Sequence, residues 1–389
     1  MPIWRDSKTS GVLAEAIAAL GQCLTRSGTA EPDLPERKWR LWQVETSLAC
    51  NLDCVMCPWK TVRQDLGHRG NMAPAVWEAL APFLGEVASV DFSGGGEPLL
   101  QPRLFDWIKQ ARTHGCDTGF LTNGLLLTQD EVKRILDLEM TWIGISVDGA
   151  DAPTYEAIRK KSSFDTVCRN IRYLTRQSPR PLVMINFVIM PSNCGQLEQM
   201  VDLARDLGVD QINFKQCDVI RGNHGKGMGL FSPGPGRDVA ALEKKLTRAR
   251  KKARKLRIRT TAFAFVPEEQ PVCPQDPRSS LFVGYDGRIS PCINLAMGGP
   301  SLFLGKAVFI PQVSFGGLPG SSLPDIWAND SCQRFRDRFD QRVRAHDTSL
   351  ACADIGRDLI KLKTALSDAI KAMPAPCDGC RICHYLYGI

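Results

Sequence analysis

Residues 45–59 read ETSLACNLDCVMCPW and set Cys50, Cys54 and Cys57 in a C-x3-C-x2-C array. The run just before it, Trp42–Thr46, has strand character, so the array occupies the loop after a first strand. A structural zinc site takes four ligands. Three closely spaced thiolates suit a [4Fe–4S] cluster held through three irons, with the fourth iron open to a chemical ligand. Outward from this loop, to about Ile220, short β-like runs alternate with helical patterns. Strands are predicted at Ser89–Phe92, Thr118–Leu121, Trp142–Val147, Leu182–Val188 and Gln211–Phe214. Helices are predicted between them at Pro102–Thr113, Gln129–Leu138, Phe164–Arg176 and Gln196–Leu207. Six such β-α repeats predict an α/β fold with a parallel sheet, a partial (β/α)6 TIM-like barrel. Active sites of these sheets lie at the carboxyl ends of the strands, where the cysteine loop falls.

The chain has 389 residues, 43% of them hydrophobic and 23% charged, which excludes wholesale disorder and a collagen-like repeat. No apolar run reaches the roughly 18 residues of a membrane helix. The short apolar stretch Gly11–Leu20 is read as a helix and not as a signal peptide. Fifteen cysteines are an odd count for a disulfide framework, and without a secretory signal they point to bound metal in a reducing, cytoplasmic compartment. The formal charge of +7 is concentrated: Lys244–Arg259 holds ten Lys/Arg and no Asp/Glu, so the rest of the chain stands at +7 less 10, or −3. That segment reads as one basic amphipathic helix. It is a solvated face or a dock for an acidic partner such as an electron carrier; nucleic acid is the weaker reading.

Further elements follow the later strands. Ser93-Gly94-Gly95-Gly96-Glu97-Pro98 succeeds the second, Leu121-Thr122-Asn123-Gly124 ends the third, and Ser146 and Asp148 (ISVDG) end the fourth. Arg159 (YEAIR) lies on the next helix, with Asn186 and Phe214 on the fifth and sixth strands. Together with the cysteine array, these residues resemble the radical S-adenosylmethionine (SAM) superfamily over about residues 41–220. The resemblance implies that Cys50, Cys54 and Cys57 hold the SAM-binding [4Fe–4S] cluster. It implies that Gly95, Gly96, Glu97 and Pro98 hold the methionyl amine, and that Thr122, Asn123, Ser146, Asp148, Arg159, Asn186 and Phe214 surround the rest of SAM. Met56 stands where relatives commonly carry an aromatic residue, and its thioether can pack on adenine. The implied chemistry is reductive cleavage of SAM to a 5′-deoxyadenosyl radical that abstracts a substrate hydrogen.

Beyond a Gly/Pro-rich segment at 221–237 and a strand near Ile258–Phe265, the character changes. Cys273 is followed by a hairpin pattern with its turn at Asp286-Gly287 and by Cys292; CDGCRICHYLYGI then brings Cys377, Cys380 and Cys383. This resembles the SPASM/twitch auxiliary-cluster domain, as does the helix start Leu323–Trp327. The resemblance implies one auxiliary [4Fe–4S] cluster on Cys273, Cys292 and two of the last three cysteines. A second cluster is available if Cys332 and Cys352 join, and a zinc ribbon is the alternative from the same ligands. The expected domains are 1–40 (helix and linker), 41–265 (partial barrel) and 266–389 (Cys-rich auxiliary domain of a β-hairpin plus helices).

Two reaction classes are open: net oxidation with the auxiliary cluster as electron acceptor, or epimerisation with Cys217 returning a hydrogen atom. Lys215, Asp218 and His224 are candidate bases or substrate contacts. Too few residues precede the first strand for a peptide-recognition module of the usual size. The expectation is therefore a small-molecule substrate such as a polyol, sugar or aminocyclitol, with peptide or protein substrates as the alternative. A flavodoxin- or ferredoxin-type reductant is expected to dock on the basic helix, and no membrane is involved. The non-enzyme alternative is an iron–sulfur electron carrier or scaffold.

Overall fold

The computed structural model describes residues 37–60, 63, 70–217, 220, 221, 227–231, 238–354 and 358–389. The expected helix at Gly11–Leu20, Asp218 and His224 lie outside them. Residues 38–389 form the compact unit described below.

Seven parallel strands run in chain order: β1 (Trp39–Val44), β2 (Val87–Asp91), β3 (Asp117–Thr122), β4 (Trp142–Ser146), β5 (Leu182–Ile189), β6 (Gln211–Gln216) and β7 (Arg259–Ala262). Helices α1 (Pro74–Leu80), α2 (Leu104–Thr113), α3 (Gln129–Asp137), α4 (Ala152–Ile158), α5 (Phe164–Thr175), α6 (Leu197–Leu207) and α7 (Val239–Lys255) return the chain between strands. Local sequence sets their ends. Thr128 caps α3 by accepting from the Glu131 amide, in a Thr-x-x-Glu pattern, and Asp151 and Ser163 cap α4 and α5 in the same way. Gly208 ends α6 at φ +70. The basic helix is displaced from its expected span. It ends at Lys255 because Arg257 turns to φ +58 and Arg259 already pairs with Gln211 of β6.

Strand parity separates two layers. Val90, Phe120, Ile143, Ile145, Ile185, Phe187, Ile212 and Phe214 face the helices and are fully buried. Each such side chain contributes roughly 1.5–3 kcal/mol, so this layer anchors the sheet. The other parity carries Asp91, Ser146, Asn186, Asn213 and Lys215 into the barrel, with Asn186 beside Asn213 and Val188 beside Lys215. Parallel strands buried on both sides are normally apolar throughout; the polar inner face therefore marks the functional side.

The Cys-rich segment continues this sheet. β8 (Ser280–Val283) pairs parallel with β1, and β9 (Arg288–Ser290) and β12 (Gly316–Gly317) extend it, in the order β12-β9-β8-β1-β2-β3-β4-β5-β6-β7. The β8–β9 turn falls at Asp286-Gly287, where Gly287 has φ +84 and any Cβ would overlap the Leu318 carbonyl. After β9 come α8 (Ile293–Met297), a two-stranded hairpin of β10 (Gly299–Phe303) and β11 (Lys306–Ile310), and helices α9 (Leu323–Ala328), α10 (Asp330–Ala351) and α11 (Leu359–Ala372). Trp327 of α9 packs edge-on against Trp39 of β1, 5.7 Å between ring centres, and Trp39 packs on Trp42. Among the described residues no helix is long and apolar enough to cross a membrane.

Candidate active site

The cysteine loop leaves the carboxyl end of β1 and is fixed by backbone bonds to the end of α4, where Arg159 is the C-cap just past the helix and not within it as expected: the Val55 amide donates to Ile158 O at 3.0 Å and the Asp53 amide to Lys160 O at 3.1 Å. Burial pushes the Cys54 thiol up to about 11 and raises that of Cys57; Arg159 opposes this at Cys54 and Arg63 at Cys57. Arg159 Nη1 lies 3.8 Å from Cys54 Sγ, and Arg63 Nη2 donates to Cys57 Sγ at 2.6 Å. Arg159 is itself held by Asp148, with Nε and Nη2 both 2.7 Å from Oδ2. Burial alone would lower its pKa, but Asp148 and Cys54 raise it, so it stays charged beside the thiols.

The Gly-rich loop after β2 crosses directly over this array. A Cβ at Gly95 would overlap the Trp59 ring, and one at Gly96 the carbonyls of Ser47 and Ala49. Glu97 follows, buried, accepting from Thr122 Oγ1 at 2.7 Å and from the Asn123 amide at 2.8 Å. Burial still lifts its carboxyl to about 7. Asp91, under the loop, is raised to about 7 by burial, with the Ser93 hydroxyl and the Lys215 charge opposing.

A cavity of about 330 Å³ opens here. Cys50, Cys54, Cys57, Gly95, Gly96, Glu97, Thr122, Asn123, Ser146, Arg159, Lys215 and Cys217 all line it, along with Ile293, Asn294 and Met297 of α8 and Tyr385. Asp148 stands behind Arg159, and Pro98 starts the short helical turn after the loop. Asn186 is beside Ser146 in register, with its Nδ2 buried and without a hydrogen-bond partner among the described residues, while its Oδ1 accepts from Asn213 Nδ2 at 3.0 Å. Phe214 departs from expectation. Its parity is that of the helix-facing layer, where it packs against Phe187 at 5.9 Å, and it is not part of the cavity wall. Cys217 is buried in an apolar cluster with Ile158, Met190 and Ile220, against which Met56 packs.

The second cysteine set converges by long-range folding. Cys380 interacts electrostatically with Cys292, Cys383, Cys273 and Cys377, and Cys292 with Cys383 and Cys273. Burial raises the thiols of Cys273, Cys292, Cys377 and Cys380. Cys273, Cys292, Cys380 and Cys383 thus form one group, with Cys377 on its flank beside Arg338. Cys332 is buried in the apolar core and Cys352 is exposed at the end of α10. Among the described residues, no three His, Cys, Asp or Glu side chains share a single-ion site. Thiolates that each bind a different iron of a cluster need not share one.

Arg63 and Glu45 were not singled out in the sequence. Glu45 is buried, accepts from the Gly95 amide at 2.7 Å and the Tyr285 amide at 3.3 Å, and so ties the Gly-rich loop to the β8–β9 hairpin. Its carboxyl is pushed to about 7 by burial. A glutamate at a strand end has no local signature of such a role.

A radical SAM superfamily model matches residues 44–213 and a SPASM, iron–sulfur cluster-binding domain model matches 273–354. The chain thus carries a radical SAM domain and a SPASM-type iron–sulfur domain. Its cofactors are accordingly a [4Fe–4S] cluster with SAM and auxiliary iron–sulfur, and the two thiol groups, the flanking cations and the buried Asn186 Nδ2, without a partner among the described residues, fit that set. The chain is 23% identical over 304 residues to a tungsten-containing aldehyde ferredoxin oxidoreductase cofactor-modifying protein of Pyrococcus furiosus, covering 75% of this chain and 82% of that one. It is 31% identical over 165 residues to the mycofactocin maturase MftC of Mycobacterium tuberculosis, 42% of this chain and 41% of that one. The chain therefore spans less than half of MftC. It also shares its fold with Streptococcus suis SuiB bound to precursor peptide SuiA, with TM-score 0.56 and 14% identity over 86% of this chain and 75% of SuiB.

Proposed function

We propose that this radical SAM enzyme modifies a peptide-borne substrate by hydrogen abstraction, with the auxiliary cluster taking part in the electron balance. The observation that carries this reading is the shared cavity. One space is lined both by Cys50, Cys54 and Cys57 and by residues of α8, which directly follows the auxiliary cysteine Cys292, and Tyr385, two residues past Cys383. Bound there, the first cluster and SAM supply a strong, reductively generated hydrogen-atom abstractor. The chain's residues do the holding. Cys50, Cys54 and Cys57 ligate, and Arg159 and Arg63 compensate the thiolate charge. Glu97, once ionised, accepts from the SAM ammonium, while Ser146 and Asn186 offer hydrogen bonds on the β4–β5 side. Lys215 presents a cation to a carboxylate or carbonyl of the substrate, and Cys273, Cys292, Cys380 and Cys383 hold the auxiliary cluster.

The relatives favour a peptide or cofactor precursor over the small polyol expected from the sequence: one is a maturase, another a cofactor-modifying protein, and SuiB binds a precursor peptide. Cys217 in the cavity wall supports epimerisation as the second reading. A reductant of the flavodoxin or ferredoxin type fits α7. Arg248 and Lys252 pair with Glu198 and Asp202 of α6, leaving Lys244, Lys251, Arg254 and Lys255 exposed. No disulfide joins any of the fourteen described cysteines, in keeping with a reducing cytoplasm. The test is anaerobic turnover of the reconstituted protein with SAM, dithionite and deuterated synthetic peptides taken from short open reading frames flanking its gene. A mass change in one of these peptides with deuterium in 5′-deoxyadenosine is expected. Unchanged peptides, alongside oxidation of a polyol, would return the small-molecule reading.

A further inference from the structure

Asn294 lies in α8, two residues after Cys292, and is 4% exposed. Its side chain joins three features. It lines the cavity; Nδ2 donates to Cys383 Sγ at 3.4 Å; and Oδ1 accepts from Arg221 Nη2 at 2.7 Å. The orientation of the amide follows from its partners. A guanidinium can only donate, so it fixes Oδ1 toward Arg221 and leaves only the NH2 group for the sulfur. Arg221 is anchored in turn, with Nη1 2.8 Å from Gly299 O and 3.4 Å from Pro300 O at the start of β10. It is 5% exposed, and among the described residues no carboxylate pairs with it.

We propose that Asn294, oriented by Arg221, is a positioning residue of the auxiliary cluster: it donates to the Cys383 thiolate, raises the cluster's reduction potential and forms the wall between that sulfur and the substrate. The proposal rests on Cys383 being a ligand. Hydrogen bonds to cluster sulfurs and nearby positive charge favour the reduced, more negative state. The amide supplies the first, and Arg221 supplies the second through it. A substrate that pushes on Asn294 would therefore be felt at the cluster.

The experiment is an EPR-monitored potentiometric titration of the holoprotein carrying both clusters, comparing wild type with Asn294→Leu, Asn294→Asp and Arg221→Gln. The auxiliary midpoint is expected to move to more negative potential in all three, furthest in Asn294→Asp, which places a carboxylate oxygen against the sulfur. The first cluster's midpoint should stay in place. Arg221→Gln acts from one bond away and keeps the test valid where a cavity-wall variant loses its cluster. An auxiliary midpoint unchanged in fully iron-loaded Asn294→Leu and Arg221→Gln overturns the proposal. Cys383→Ala separates the two layers of the claim: loss of the auxiliary signal there upholds the ligand reading, whereas its retention removes that reading and the proposal together.

Discussion

Glu97 sits in a site that wants a cation. It is buried against three donors, yet its carboxyl titrates near 7 because desolvation outweighs them. An ammonium group bound there needs the ionised form, so SAM affinity should rise with pH, roughly tenfold between pH 6 and 8. Equilibrium binding to the cluster-loaded protein checks this, and Glu97→Gln should bind weakly with a flat profile. Glu45 and Asp91 are raised in the same way. All three hold protons in the folded state that the unfolded chain has already lost above about pH 4.5, so stability of the cofactor-free protein falls as pH rises from there through 7. Thermal melts should show it, and Glu45→Gln should flatten part of the slope. Motif residues such as Cys50, Glu97 and Arg159 were legible because a short linear pattern carries them. Phe214 was misplaced by one step of strand parity: its neighbours Asn213 and Lys215 face the barrel interior and it does not. Arg63 and Glu45 act through contacts that no spacing rule exposes.

Elements show the same division. The Asp286-Gly287 turn and the capped helices were readable from local chemistry. The Gly-rich loop was readable as a motif, but its constraint is packing. Gly96→Ala should force the loop off Ser47 and Ala49 and cost about 2 kcal/mol or more, with loss of cluster retention. Gly85→Ala, which meets nothing within 4 Å, should stay within about 0.5 kcal/mol of wild type; iron content and chemical denaturation distinguish them. Arg342 was not readable. α10 carries five arginines in an Arg/Asp-rich run, and nothing local marks which one turns inward. Arg342 is fully buried and binds Pro271 O at 3.1 Å, Gln270 O at 3.0 Å, Glu269 Oε1 at 2.7 Å and Pro374 O at 2.5 Å. It thereby clamps the segments leading into Cys273 and Cys377. Arg342→Met should cost roughly 3 kcal/mol and release auxiliary iron before the first cluster's iron, as timed chelation would show.

At the scale of the molecule, the barrel and the Cys-rich segment share one sheet. β8 is bonded along β1, Trp327 packs on Trp39, and the C-terminal tail returns along 264–270, with Ala264, Glu268 and Gln270 amides donating to the carbonyls of Gly388, Tyr387 and Leu386. Residues 38–389 should therefore unfold in a single calorimetric transition, and a chain cut after residue 265 should aggregate through the uncovered β1 edge. The α/β class and strand order followed from sequence periodicity. The convergence of Cys380 and Cys383 on Cys273 and Cys292 did not, because it depends on contacts about a hundred residues apart. The first cysteine group lines the cavity and the auxiliary group adjoins it through α8 and Tyr385; the central claim, reductive cleavage of SAM at the first group, is tested most directly by dithionite-driven formation of 5′-deoxyadenosine. The reconstituted wild type should produce it, and the Cys50/Cys54/Cys57→Ala variant, retaining only auxiliary iron, should produce none. A wild-type protein with both clusters intact and no 5′-deoxyadenosine would contradict the account.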